Sequence, residues 1–326
     1  MAGQITKRME NSFFRSVLGD VESKKMGLTY SHEHIIIEDS YPAASHPEFL
    51  LNEVDKVAAE LTAFYSKGGR TVVDTMPANA GRNALKLAEV SRKSGVNIIA
   101  PTGIHLEIYY PLNHWRYSYT EDQLTDLFIA DITEGIDQFD YSGPIVNRTA
   151  HKAGLIKLAT GDDAFSLHQQ RIFRAVVNAH LVTGAPILTH TNFGRQALEQ
   201  AEFFAKLGAK LEHVVLSHVD RAKDVDYNRA VLDVGVRVEY DSAFRWKSGE
   251  PNHTLNLLEN LLSDYPDQIT MGMDMAKNAY WKSYGGGPGL TYLIETIPAF
   301  LSEKGMEEFY ENIFFSTPSK LFSFFK

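Results

Sequence analysis

Six residues of this sequence pair a metal-binding or proton-transferring type with a place near the end of a short apolar run. His32 and His34 stand two apart in MGLTYSHEHIII (26–37). Alternation along a strand puts both side chains on one face. Lys157 interrupts the otherwise apolar AGLIKLAT (153–160), and His190 lies near the end of APILTHT (185–191). His218 falls in HVVLSHV (213–219) and Asp274 in ITMGMDM (269–275). Four imidazoles and a carboxylate are borderline ligands that suit zinc, manganese, cobalt or nickel. A lone strand histidine is more often packed core than ligand. Four at the same strand end, joined by Lys157 and Asp274, point to one shared site.

Lys157 separates the mechanisms open to such a site. An unpaired buried ammonium costs several kcal/mol, so the amine must shed its proton or find a partner. A neutral amine can form a Schiff base with a carbonyl substrate. It can also add carbon dioxide to give an anionic carbamate, whose two oxygens can bridge two metal ions. One tetrahedral catalytic ion takes three protein ligands, and the histidines and aspartate exceed that number. Two divalent ions sharing a bridge fit better, so the carbamate is the preferred reading.

Three further runs complete a series of eight: TVVDTM (71–76), NIIAPTG (97–103) and VRVEYDS (236–242). Helix-patterned segments lie between them. In NEVDKVAAELTAFYSKGG, Val54, Val57, Ala58, Leu61 and Phe64 recur at helical spacing. Glycines stand where helices should end, at Gly68, Gly69, Gly95, Gly184, Gly208 and Gly235. Apolar strands alternating with helices indicate a buried parallel sheet. Eight units predict an α/β fold of the (β/α)8 TIM-barrel type, a single domain over 1–326 with an N-terminal extension at 1–25. Long loops are expected at 104–150 and 276–290, and an open doubly wound sheet is the rival architecture. In a barrel, all strand C-termini surround one mouth, where the six residues would meet.

Composition excludes several classes. The chain has 326 residues, 44% hydrophobic, with 23 Gly and 12 Pro, which suits a large core and not a disordered or collagen-like chain. A net charge of −9 argues against an electrostatic grip on nucleic acid. The absence of cysteine removes disulfides, thiolate nucleophiles and Cys-ligated zinc. No run has signal-peptide or membrane-span character, so a cytoplasmic protein without membrane contact is expected.

The ordered segments GLTYSHEHIII, GLIKLAT, ILTHTNFG, VVLSHVD and MGMDM, with the closing TPSKLFSF, resemble the phosphotriesterase-like branch of the amidohydrolase superfamily from residue 21 to the C-terminus. The resemblance implies a hydrolase of phosphotriesters, lactones or related esters. It implies His32, His34 and Asp274 on a more buried ion and His190 and His218 on a more exposed one. Carboxylated Lys157 and a hydroxide would bridge them, with zinc expected and manganese or cobalt as alternatives. Asp274 would take the proton of the attacking hydroxide and hand it to the leaving group.

Substrate choice should reside in the loops after the last two strands, frequent phosphate sites in barrels. The first, AFRWKSGEPNH (243–253), carries Arg245, Trp246 and Lys247. The second, AKNAYWKSYGGGPG (276–289), carries Lys277, Tyr280, Lys282 and Tyr284. These cations and hydroxyls predict a small phosphorylated or otherwise anionic substrate, with Lys247, Lys277 and Tyr280 on the anion and Arg245 and Tyr109 nearby. The resemblance, to a family whose members include enzymes that open phosphorylated sugar lactones, implies such a lactone. His105, Tyr109, Tyr110 and His114 of GIHLEIYYPLNHW read as pocket wall or rim, without a third metal site. The competing readings are a phosphotriesterase with the same site, a metal-free Schiff-base lyase using Lys157, and a non-catalytic metal-bearing binding protein. Phe314, Phe315, Phe322, Phe324 and Phe325 read as core in preference to a dimer surface, and a homodimer stays open.

Overall fold

The computed structural model describes residues 12–247 and 249–325. The first described element is an antiparallel hairpin, β1 (Phe13–Ser16) with β2 (Gly19–Glu22). Each sequence run then yields a strand: β3 (Leu28–Glu33), β4 (Gly69–Asp74), β5 (Asn97–Ile99) with β6 (Pro101–Gly103), β7 (Leu155–Ala159), β8 (Ile187–His190), β9 (Val214–Ser217), β10 (Arg237–Tyr240) and β11 (Ile269–Met271). All neighbours among these strands pair parallel, β3 to β4 to β5 and β6 through to β11 in chain order. One residue, Ala100, separates β5 from β6. The last strand returns to the first, where the amides of Met273 and Asp274 both donate to the His32 carbonyl. The fold is the expected TIM-barrel type of α/β protein.

A helix follows each strand: α1 (Val54–Ser66), α2 (Ala84–Ser94), α3 (Glu121–Thr133), α4 (Leu167–Thr183), α5 (Ala197–Leu207), α6 (Val225–Asp233), α7 (His253–Leu261) and α8 (Tyr292–Lys304). In α1 the apolar stripe of Val57, Ala58, Leu61 and Phe64 is buried, as its spacing predicts. Gly95, Gly184 and Gly208 end α2, α4 and α5 in the left-handed conformation that an L side chain avoids.

The core has two parts. Helices pack on the outer faces of the strands in a large apolar cluster. A smaller one lies on the other strand face, with Val73, Ile99, Leu155, Leu188 and Val215 meeting Phe14, Leu321 and Phe322. The expected 1–25 extension joins the fold at this cluster. Its described part folds into the hairpin, and Phe14 joins this inner cluster, while residues 1–11 lie outside the described residues. Chain ends meet there: the Phe324 amide donates to Phe13 and the Phe325 amide to Gly184. Phe314, Phe322 and Phe324 are buried, as expected of core, and Phe315 and Phe325 are partly covered.

Strand periodicity connects this inner cluster to the mouth. Two residues beyond Leu155, Leu188 and Val215 stand Lys157, His190 and Ser217, on the same strand faces. The inward side of the barrel thus turns from apolar to polar toward the strand C-termini.

Candidate metal centre

Five strand ends deliver the site. His32 Nδ1 lies 2.8 Å from Ser217 Oγ of β9 and 3.6 Å from a Glu239 oxygen of β10. Its Nε2 lies 3.7 Å from Asp274 Oδ1, to which His34 Nε2 approaches at 3.0 Å. The His218 ring centroid is 4.6 Å from that of His32 and 4.6 Å from that of His190. Lys157 is fully buried, and neither its Nζ nor His190 Nε2 has a hydrogen-bond partner among the described residues.

Backbone geometry aims two of these residues. His218 and Asp274 both adopt positive φ, 66° and 48°, a region costly for side chains other than Gly. Such strain persists only where surrounding contacts hold it, and it clusters at functional sites. Buried carboxylates brace the neighbouring chain: Asp74 accepts the Ile35 amide at 2.8 Å and Glu33 the Met273 amide at 2.8 Å.

Electrostatics favours ligand-ready protonation states. Burial pushes the imidazoles of His32 and His190 well below the ordinary histidine range, and His218 below it too. Neutral imidazole is the form that binds a metal. Burial brings the Lys157 amine down to about 7, against the opposing pull of Asp274, Glu239 and Asp241. Burial alone would raise Asp274, but Arg245, His34, His218 and Arg221 outweigh it and hold the carboxyl well below its usual range. Asp241 behaves alike, with Arg221 and His218 overcoming burial. Glu239 is the opposite case: burial, then the charge of Asp241, pushes it well up.

Among the described residues, two groups of donor atoms lie close enough together to hold an ion, His32 with His34 and Asp274, and His32 with His218, Glu239 and Asp241. The orphaned Lys157 Nζ and His190 Nε2 lie at the same strand ends. This donor set, all nitrogen and carboxylate oxygen, fits borderline divalent cations.

All but one of the expected residues meet. His32, His34, His190, His218 and Asp274 line a cavity of about 800 Å³, with Lys157 buried one strand over. Arg245, Tyr109, Lys277 and Tyr280 line it too. Lys247 does not: its side chain is exposed outside the lining. The loop after β10 points Arg245 inward instead, where it bonds Asp274 and Tyr280. His105 and Tyr109 form wall, as expected, whereas Tyr110 and His114 are structural. Tyr110 bonds Ala78 and the His105 amide, and His114 bonds Asn79. Sequence reasoning missed Asp241, Glu239 and Arg221. The two carboxylates carried the same signal as Lys157, a charge in the apolar run VRVEYDS. Arg221 follows His218 by three positions and carried none.

A parallel barrel whose mouth gathers imidazoles and carboxylates defines the class, a barrel protein with a donor set suited to divalent cations. The chain belongs to the phosphotriesterase family, whose sequence profile matches residues 12–322. A phospho-furanose lactonase of Mycoplasmopsis synoviae (strain 53) is 30% identical over 328 residues, spanning 97% of this chain and 93% of its own length. The crystal structure of an amidohydrolase from Mycoplasma synoviae superposes with a TM-score of 0.92 at 30% identity, covering 97% of this chain and 93% of that one. A lactonase from Listeria monocytogenes superposes at 0.88 with 28% identity, covering 97% and 100%. The protein is a hydrolase. The match begins at residue 12, nine residues before the start of the resemblance at residue 21, so it includes the β1–β2 hairpin.

Proposed function

We infer that this hydrolase opens a phosphorylated sugar lactone and uses two divalent metal ions. His32, His34 and Asp274 would hold one ion and His190 and His218 the other, with a carbamate on Lys157 between them. Bound there, the pair would supply Lewis acidity and water of lowered pKa near neutral pH. The neutral Lys157 amine forms the carbamate by bonding to the carbon of carbon dioxide and releasing a proton. The side chains divide the remaining work. Asp274 accepts a proton from the attacking water and delivers it to the ring oxygen as the acyl C–O bond breaks. Lys277, Tyr280 and Arg245 bind the phosphate through charge-assisted contacts from the loops after β10 and β11. Tyr109 and His105 add wall to the same cavity.

The observation that carries this reading is the shared cavity, in which ligand-type side chains and the Lys277–Tyr280–Arg245 rim face the same space. Lys277→Ala should lower kcat/KM at least tenfold on a phosphorylated γ-lactone and change it little on the dephosphorylated analogue. Lys247→Ala, outside the cavity, should change neither. Equal losses on both substrates in Lys277→Ala would remove the anion pocket. A phosphotriester preferred over both lactones would replace the substrate class with the second reading. Borohydride trapping of a carbonyl substrate on Lys157, with activity surviving chelators, would replace the mechanism with a Schiff-base lyase.

A further inference from the structure

Arg221 touches more of the site than any role so far requires. Its backbone amide donates to the His218 carbonyl at 3.1 Å, closing the turn that carries this histidine at positive φ. Its side chain reaches two other strand ends. Nη2 donates to Asp241 Oδ1 at 2.8 Å and to Asp274 Oδ2 at 2.6 Å, and Nε donates to Ser242 Oγ at 3.2 Å. The other oxygen of Asp241 holds His218 Nδ1 in a short hydrogen bond, leaving His218 Nε2 for the cavity. The other oxygen of Asp274 faces His34. One guanidinium therefore joins the residue at the end of β9 to the one beyond β11 through the one beyond β10. Each of the two residues so joined has a left-handed backbone that needs outside contacts to persist.

We propose that Arg221 is a positioning residue: it fixes Asp274 with Oδ1 aimed at the histidine pair and ties it, through Asp241, to His218, so that the two metal positions are formed together. The planar fork of arginine suits this, since it presents donors in a fixed geometry that lysine lacks. Arg245 also bonds Asp274 Oδ2, at 3.0 Å, but reaches the main chain of Met273 and Asp274 and not the β9 turn. It anchors Asp274 locally and cannot link the two positions.

The inference rests on the two-metal reading, and the test separates their failures. Metal-free protein is titrated with zinc or cobalt by calorimetry, with the cobalt absorption bands recorded in parallel, for the native chain, Arg221→Met and Arg221→Lys. The native chain should bind two ions. A native chain that binds none removes the two-metal reading and this inference with it. Removing a positive charge beside cations would by itself tighten their binding. A positioning role predicts the reverse for Arg221→Met: the weaker ion loses fivefold or more in affinity, the cobalt bands shift, and kcat falls more than KM rises. Arg221→Lys, which keeps the charge without the fork, should also lose fivefold or more, and it carries the test alone if Arg221→Met does not fold. A smaller loss, or a gain, in a folded variant overturns the proposal while leaving the two-metal reading intact.

Discussion

A ring nitrogen can serve a metal only if its partner nitrogen is told which tautomer to take. For His218 that instruction comes from Asp241, buried and hydrogen-bonded to Nδ1. For His32 the partner at Nδ1 is the Ser217 hydroxyl, which holds the ring in place but, able to donate or accept, leaves the tautomer open, with Glu239 behind. Partners of this kind are worth 10–100-fold in metal affinity or activity. Asp241→Asn keeps the shape and removes the charge, so zinc affinity of the metal-free protein should fall by at least about tenfold. Affinity equal to that of the native chain would show that Asp241 does not orient His218. Asp241 and Glu239 stand in VRVEYDS as plainly as Lys157 does in LIKLA. Their meaning was hidden because a carboxylate near a strand end reads equally as surface until a neighbour is known.

At the scale of elements, strand alternation explains most of what the sequence foretold. Lys157 and His190 face inward because Leu155 and Leu188 do, two positions earlier. Close backbone approach is what the runs alone did not reveal. Gly103 ends β6 with φ at 103°, and an added Cβ would lie 1.9 Å from the Lys157 carbonyl oxygen. That oxygen accepts the Ile104 amide at 2.9 Å, so the strand end bearing Lys157 is held by a neighbour without a side chain. Gly103→Ala should therefore cost more than the roughly 1–2 kcal/mol of a left-handed alanine. A urea titration should show the midpoint falling, and activity should fall with it because Lys157 moves. An unchanged midpoint would mean that β6 yields freely. The loop after β10 gives the opposite lesson. Lys247 looked like an anion ligand by type, but the turn there sends Arg245 inward and leaves Lys247 in solvent.

For the whole molecule, charge and ligand density matter more than any contact. The chain is acidic at −9, and its cavity sets Arg221, Arg245 and Lys277 against Glu107, Asp163 and Asp274, so the charge there is balanced where the chain as a whole is not. Buried carboxylates and an unpartnered lysine there are costly without compensating charge. Metal ions would provide that compensation only to the folded chain. Ions held a thousandfold above their Kd would add about 4 kcal/mol for each site. Stripping them with a chelator should lower Tm by several degrees, and adding zinc should restore it. A Tm indifferent to both treatments would oppose a built metal centre. No helix among the described residues is long and apolar enough to cross a membrane.

Periodicity and residue type, which are local properties, determined the strands, the helices between them and the six ligand-type residues. Strand alternation and the side chains that can bind a cation are both written in short stretches of chain. Tertiary structure alone decided which carboxylates serve the histidines, that Arg221 spans three strand ends, that Lys247 stands outside and that the N-terminal hairpin meets the C-terminus. Each of these depends on contacts between residues far apart in the chain, and such contacts are set by packing and backbone direction, which no local pattern encodes.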